Sequence, residues 1–278
     1  MSDALHLLYV PVRLSALARY AGHRGWTARR DRDGREIDAG FDSGRALHHI
    51  LDETFGPSAL KPFRIVAPRN RDRATVYAYT RLSKDALLTR VAETGVPELA
   101  NGWILDLREL ETKPMPTDWS TGKRLGFDVR VRPVVRIRKP LPNPRPSVKA
   151  YKEGSEVDAF VAEAQKGHPE GWPQFVDGAP TASAMVEAGR DRAAVYRDWL
   201  AARFGGSVDL DHERTEMVAF MRTRVSRSSA SVEGPDATFH GEFTIADPAA
   251  FNTLLGRGVG RHLSFGYGML LLRPARRR

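Results

Sequence analysis

Cysteine is absent from the 278 residues. Disulfides, thiolate metal sites and cysteine nucleophiles are therefore excluded, and the absence fits a cytoplasmic protein. No apolar run approaches the ~20 residues of a membrane-crossing helix. The opening MSDALHLLYVPVRL lacks the basic start and small-residue cleavage site of a secretory signal. No glycine run is followed by Gly-Lys-Ser/Thr, so a P-loop is excluded. Negative charge is scarce: 34 Asp and Glu stand against 43 Lys and Arg, giving a net charge of +9. The isoelectric point is near 10.0. A surplus of this size suits a polyanion such as nucleic acid. Hydrophobic residues make up 41%, enough for a packed core.

Alternating prolines at Pro140, Pro142, Pro144 and Pro146 allow neither a helix nor a central strand. They divide the chain into residues 1–139, a connector at 140–149, and residues 150–278. In the first part, 6–14, 63–68, 74–81, 103–110 and 125–138 read as strands, and 43–55 and 83–95 as helices. Asp42 or Ser43 caps the first helix, and the region from 15 to about 40 reads as a polar stretch rich in Gly and Arg. In the second part, 155–167, 189–205 and 247–256 read as helices, and 215–228, 239–245 and 268–274 as strands. A loop is expected over 167–181 and a turn over 233–238. The expected fold class is α+β: two tandem ferredoxin-like βαββαβ units with antiparallel sheets.

The run GRGVGRHLSFGYG (256–268) holds five glycines around Arg261 and His262. A dinucleotide fingerprint must follow a strand and open a helix. Here a helix precedes and a strand follows, and Leu263 breaks the spacing. A nucleotide cofactor is disfavoured, and no cofactor is expected. Glycines also let backbone N–H groups approach a phosphate chain closely. A tight turn leading into a strand is the bland alternative.

In the strand 125–138, Phe127, Val129, Val131, Val135 and Ile137 share one parity, and Arg130, Arg132, Arg136 and Arg138 share the other. One face is thus apolar, and the other is expected to offer four guanidiniums to phosphates. No histidine pair has metal-ligand spacing, so no metal site is expected. In the helix 43–55, Leu47, Ile50, Leu51, Thr54 and Phe55 form the buried stripe. His48 lies on its flank near Arg45 and Asp52, while His49 points away to solvent. A flanking histidine suits acid–base work near neutral pH. A surface histidine in an ion pair is the competing account, and His23 is the rival candidate.

Two blocks resemble the CRISPR-associated RNA endonuclease family CasE (Cse3), the repeat-processing subunit of type I-E Cascade. They are FHGEFTIADPAAFNTLLGRGVGRHLSFGYGMLLLRP (239–274) and the helix carrying Leu47, His48, Leu51 and Phe55. WLAARFG (199–205) and GKRLGFDVRVRP (122–133) are weaker matches. Some members carry Tyr three residues before the histidine and Lys five after it; this chain has Arg45 and Glu53 there. Where members often carry a basic residue in the glycine loop, this chain has Leu263.

The resemblance implies metal-independent cleavage of CRISPR precursor RNA at repeat hairpins, leaving 2′,3′-cyclic phosphate and 5′-OH ends. His48 would transfer the proton and Arg45 would stabilise charge. RNA contacts would come from Arg130, Arg132, Arg136, Arg138, Lys149, Lys152, Gly258, Gly260, Arg261, His262, Gly266 and Gly268. Implied partners are the CRISPR repeat hairpin, kept bound after cutting, and other Cascade subunits; target DNA is met only through the complex. A non-catalytic RNA-binding scaffold of the same assembly is the alternative.

Overall fold

A computed structural model describes residues 4–26, 28–30, 36–38, 41–68, 72–94, 103–141, 150–166, 175–176, 179–180, 190–227 and 230–276. The chain folds as two ferredoxin-like units in tandem. The first comprises β1 (His6–Arg13), α1 (Leu14–His23), a short ribbon of β2 (Ala28–Arg30) and β3 (Glu36–Asp38), α2 (Ser43–Phe55), β4 (Phe63–Val66), β5 (Arg73–Thr80), α3 (Lys84–Thr94) and β6 (Glu111–Pro114). Its antiparallel sheet runs β4-β5-β1-β6. Setting the β2–β3 ribbon aside, that is the second-third-first-fourth order of a βαββαβ unit.

Side chains alternate across a strand. Leu8, Val10 and Val12 of β1 therefore bury one sheet face, clustering with Leu17 of α1 and Leu47, Ile50, Leu51 and Phe55 of α2. Each such side chain contributes about 1.5–3 kcal/mol on burial. The α2 helix starts where Asp42 accepts the Arg45 N–H at 3.0 Å. The helix α1 lies inside the stretch read as polar and irregular: Ala16, Leu17 and Ala21, at helical spacing, are enough to bury one face. The expected strand at 103–110 is instead an isolated bridge from Leu105 to Val12 and a 3-10 turn over Leu107–Glu109.

The second unit comprises β7 (Arg124–Val131), β8 (Val134–Arg136), β9 (Glu156–Asp158), α4 (Ala159–Lys166), the short pair β10 (Phe175–Val176) and β11 (Ala179–Pro180), α5 (Arg192–Phe204), β12 (Val208–Arg227), β13 (Ala230–Ile245), α6 (Pro248–Arg257) and β14 (Leu270–Pro274). Its main sheet runs β12-β13-β7-β14. The strand expected over 125–138 is split into β7 and β8, and β7, assigned by sequence to the first unit, is one of the two inner strands of the second unit's main sheet. It pairs with β13 on one side and β14 on the other. The second sheet thus takes one of its strands from before the prolines, and residues 142–149 lie outside the described region. The turn expected at 233–238 is paired strand: Glu233, Gly234 and Pro235 face Arg224, Thr223 and Arg222 within the long β12–β13 hairpin. Of the loop expected at 167–181, the β10–β11 pair is described.

The apolar parity of β7 behaves as expected. Phe127, Val129 and Val131 join Phe204, Phe239, Phe243 and Phe251 in the second core. The other parity does not face water, because the first unit covers part of it. Arg64 of β4 pairs with Asp128 of β7, and the Tyr79 hydroxyl of β5 donates to the Leu270 carbonyl at 2.9 Å.

Candidate active site

Helix α2 presents His48 at its flank, with the side chain 28% exposed. Its Nδ1 stands 3.5 Å from an Asp52 carboxylate oxygen one helical turn away. That is an ion-pair separation, longer than a good hydrogen bond. Asp52 is itself held, since its other oxygen accepts the Ser58 N–H at 3.0 Å where the chain leaves the helix. The carboxylate faces Nδ1, so Nε2 lies on the side of the ring away from Asp52.

The opposite wall comes from the second unit. Phe265 lies edge-on to the His48 ring at a centroid distance of 5.5 Å. His48, Asp52, Ser58, Lys61 and Ser264 together line one small cleft. Lys61, Ser58 and Ser264 were not foreseen. The only signal for Lys61 is the short turn after α2 that brings the chain back beside the helix; Ser264 lies within the glycine-rich run, but nothing in that run singles it out.

Arg45 and His49 depart from expectation. The Arg45 guanidinium donates to the Trp26 carbonyl at 3.1 Å. His49 does not project into solvent; it stacks on Trp26 at 4.6 Å between ring centroids. Burial, followed by the charges of His48 and Arg45, holds the His49 imidazole below its usual value. Glu53 accepts from Arg24 at 2.6 Å and from the Tyr20 hydroxyl at 3.2 Å. His23 is exposed at the end of α1.

The glycines are dictated first by the loop's own folding. Gly258, Gly260, Gly266 and Gly268 all have positive φ, between 76° and 81°. A Cβ on Gly268 would run into the Val259 carbonyl oxygen, and one on Gly260 would lie 2.8 Å from the Trp199 ring. Next to the second of these glycines, Arg261 Nε and His262 Nε2 both bond to Glu156 of β9, at 2.6 and 2.7 Å. The His262 side chain is only 3% exposed, whereas that of Arg261 is 45% exposed. His262 thus points inward and ties the loop to Glu156, while Arg261 remains at the surface.

The four-arginine face divides. Arg130 forks onto Asp236 at 2.9 and 2.5 Å and lies over the Tyr267 ring at 4.7 Å. Burial works against its charge, but the Asp236 hydrogen bonds and charge outweigh that and raise its pKa. Arg132 is 2% exposed and donates to the Thr223 hydroxyl at 3.1 Å. These two guanidiniums are committed internally because the strand face that bears them is packed. Beyond the break at residues 132–133, Arg136 and Arg138 are exposed, as is Lys152; Lys149 lies outside the described residues.

Among the described residues, no group of three or more His, Asp or Glu is arranged to hold a metal ion. None of the described helices is long and apolar enough to cross a membrane. The fold and this inter-unit cleft define the class first: a tandem ferredoxin-like protein with a helix histidine against a glycine-rich loop. The chain belongs to the family described as CRISPR associated protein, whose profile matches residues 26–274.

Among solved structures, it is similar to CRISPR endoribonuclease Cse3 bound to a 19-nucleotide RNA, at 15% identity and TM-score 0.58, covering 98% of this chain and 100% of that one. It is also similar to Thermus thermophilus Cse3 bound to an RNA representing a pre-cleavage complex, at 14% identity and TM-score 0.59, with coverage of 98% and 100%. A CRISPR-associated protein from Thermus thermophilus matches at 13% identity and TM-score 0.52, covering 97% of this chain and all of its own. No curated protein matches the chain.

Proposed function

We propose that the protein is a metal-independent endoribonuclease of the cytoplasm that cuts CRISPR precursor RNA at its repeat hairpins. It then stays on the product hairpin as a subunit of a Cascade-type complex. The observation that carries this reading is the meeting of His48 with the glycine-rich loop in one cleft between the units. Membership of the CRISPR-associated family and a fold shared with RNA-bound Cse3 support it.

The ribose 2′-OH attacks the adjacent phosphorus, its proton departs, and the P–O5′ bond breaks as the 5′-oxygen takes up a proton. The products are a 2′,3′-cyclic phosphate and a 5′-OH. An imidazole is the side-chain type suited to moving the protons of this reaction, and His48 is the histidine that lines the cleft. Asp52 orients its ring. Lys61, which lines the same cleft, supplies positive charge to the phosphorane. Arg45, engaged at the Trp26 carbonyl, acts in this reading by positioning the start of the His48 helix.

His48→Ala is expected to slow cleavage of a repeat transcript in EDTA by roughly 10²–10⁴-fold while RNA binding persists. Lys61→Ala is expected to slow it by a smaller factor, about 10–100-fold. Cleavage by His48→Ala at the wild-type rate would overturn the assignment and leave His23 as the candidate. Failure of the wild-type protein to cut in EDTA, with RNA binding intact, would favour the non-catalytic scaffold.

A further inference from the structure

A second hollow adjoins the same loop. It has a volume of about 620 Å³ and is lined by Arg136, Arg203, Arg257 and Arg261 together with Gly258 and Gly260. No acidic side chain is among its lining residues. The four guanidiniums come from four separate places: β8, the last turn of α5, the last turn of α6, and the loop itself. Three of them are fixed by their surroundings. Arg136 Nε donates to the Gly154 carbonyl at 2.9 Å, Arg203 lies over the Trp199 ring at 5.3 Å, and Arg261 is held by Glu156 at 2.6 Å.

A bland account exists for two of them. Arg203 and Arg257 sit at helix C-termini, where a cation offsets the carbonyl end of the helix. That explains one cation per helix end, but not why both converge with Arg136 and Arg261 on one concavity. Arg261 already meets Glu156, but no acidic side chain lines the hollow itself, so the like charges around it repel unless an anion enters. Guanidiniums present planar forks that match phosphate oxygens. Successive stretches of one segment serve two places, since Arg257, Gly258, Gly260 and Arg261 line this hollow, whereas Ser264 and Phe265 stand beside His48.

We infer that this hollow is a second phosphate-binding site. It takes the backbone of the single-stranded RNA that continues beyond the cleavage cleft, with Arg203 and Arg257 as contacts. The inference rests on RNA being the substrate of the His48 cleft. Because it concerns single-strand binding, it can be read without any cutting.

The probe is an oligouridine of about twelve nucleotides, within the site size typical of single-strand binders. The protein carrying both Arg203→Gln and Arg257→Gln should bind it about tenfold more weakly than wild type at moderate salt. The slope of log affinity against log salt should fall by about 1.4, the value for two lost single-strand phosphate contacts. Arg203→Lys with Arg257→Lys should restore most of the slope, since charge is kept. On the unmutated protein, an oligouridine bearing 4-thiouridine should photocrosslink within residues 199–205 or 256–262, a readout that survives misfolding of any variant.

Unchanged affinity and slope in the folded glutamine variant, or crosslinks confined elsewhere, would overturn the site. So would undiminished oligouridine binding with loss of binding to a polyglutamate peptide, which would assign the hollow to an acidic protein surface. If the wild type fails to cut repeat RNA while the glutamine variant loses slope, the endonuclease reading falls and the phosphate site stands.

Discussion

The two units share one strand order and differ in what they do with charge. In the first unit, ion pairs such as Arg73–Glu109 and Lys84–Glu111 lie at the surface. In the second, three carboxylates are buried and gripped by several donors. Asp128 takes Arg64, Arg273 and His240. Asp158 takes Arg192, Arg222 and the Tyr196 hydroxyl. Asp236 takes Arg130 and the Tyr267 hydroxyl. A large arginine surplus is therefore not the same as a large cationic surface. Part of it neutralises buried acids, and four further guanidiniums gather beside the glycine loop.

The contrast can be tested by removing one acid from each unit. Asp236→Ala leaves Arg130 partly buried and unpaired, and is expected to cost about 3–5 kcal/mol. Glu109→Ala breaks an exposed pair and should cost under about 1 kcal/mol. Urea denaturation of both variants measures the difference, and equal losses would erase the distinction between the units.

A middle-sized effect separates glycines that the loop needs from glycines that only turn the chain. Gly122 has φ +83° and open space around it, so Gly122→Ala carries the conformational penalty alone, about 1–2 kcal/mol. Gly268→Ala adds the collision with the Val259 carbonyl. It should cost about 1 kcal/mol more and also slow RNA cleavage, because the loop wall of the cleft moves. Equal stability and normal cleavage for the two variants would show that the loop yields without consequence.

The smallest effect concerns the first unit. The His49 value in the folded protein is depressed from 6.5. As pH falls through about 6.5, the unfolded chain takes up this proton first, so stability drops with acidification until the lower folded value is passed. Melting temperatures between pH 8 and pH 5.5 should therefore fall less steeply for His49→Gln than for wild type. Parallel declines would remove His49 from the account.

Much of the fold was legible locally. The α2 cap at Asp42, its buried stripe, and the α6 start at Asp247 and Pro248 depend on side chains within one turn. The apolar parity of β7 was legible as well. What failed was everything that needed a distant partner. The four-proline stretch looked like a boundary because proline breaks local structure, whereas sheet membership is decided by which strands β7 meets. The sequence reading placed more strands in the first unit than a βαββαβ pattern uses and one too few in the second; that mismatch was the available clue. The Arg130 and Arg132 parity was right and its exposure wrong, since alternation cannot say whether the polar face meets water or another sheet. For the site, His48 and its Asp52 neighbour were readable at i and i+4. Lys61 and Ser264 were not, because they reach the cleft from β4's approach and from the far end of the chain.

His48 belongs to the first unit, while Ser264 and Phe265 belong to the second. Neither unit alone contains the whole cleft. The Arg64–Asp128 pair is one of the pins between them. In the proposed function, the docking of the two units sets the width of the gap offered to an RNA backbone, so the working distance of the histidine is a mechanical property of a joint. On that reading, anything that grips the second unit from outside has leverage on the first.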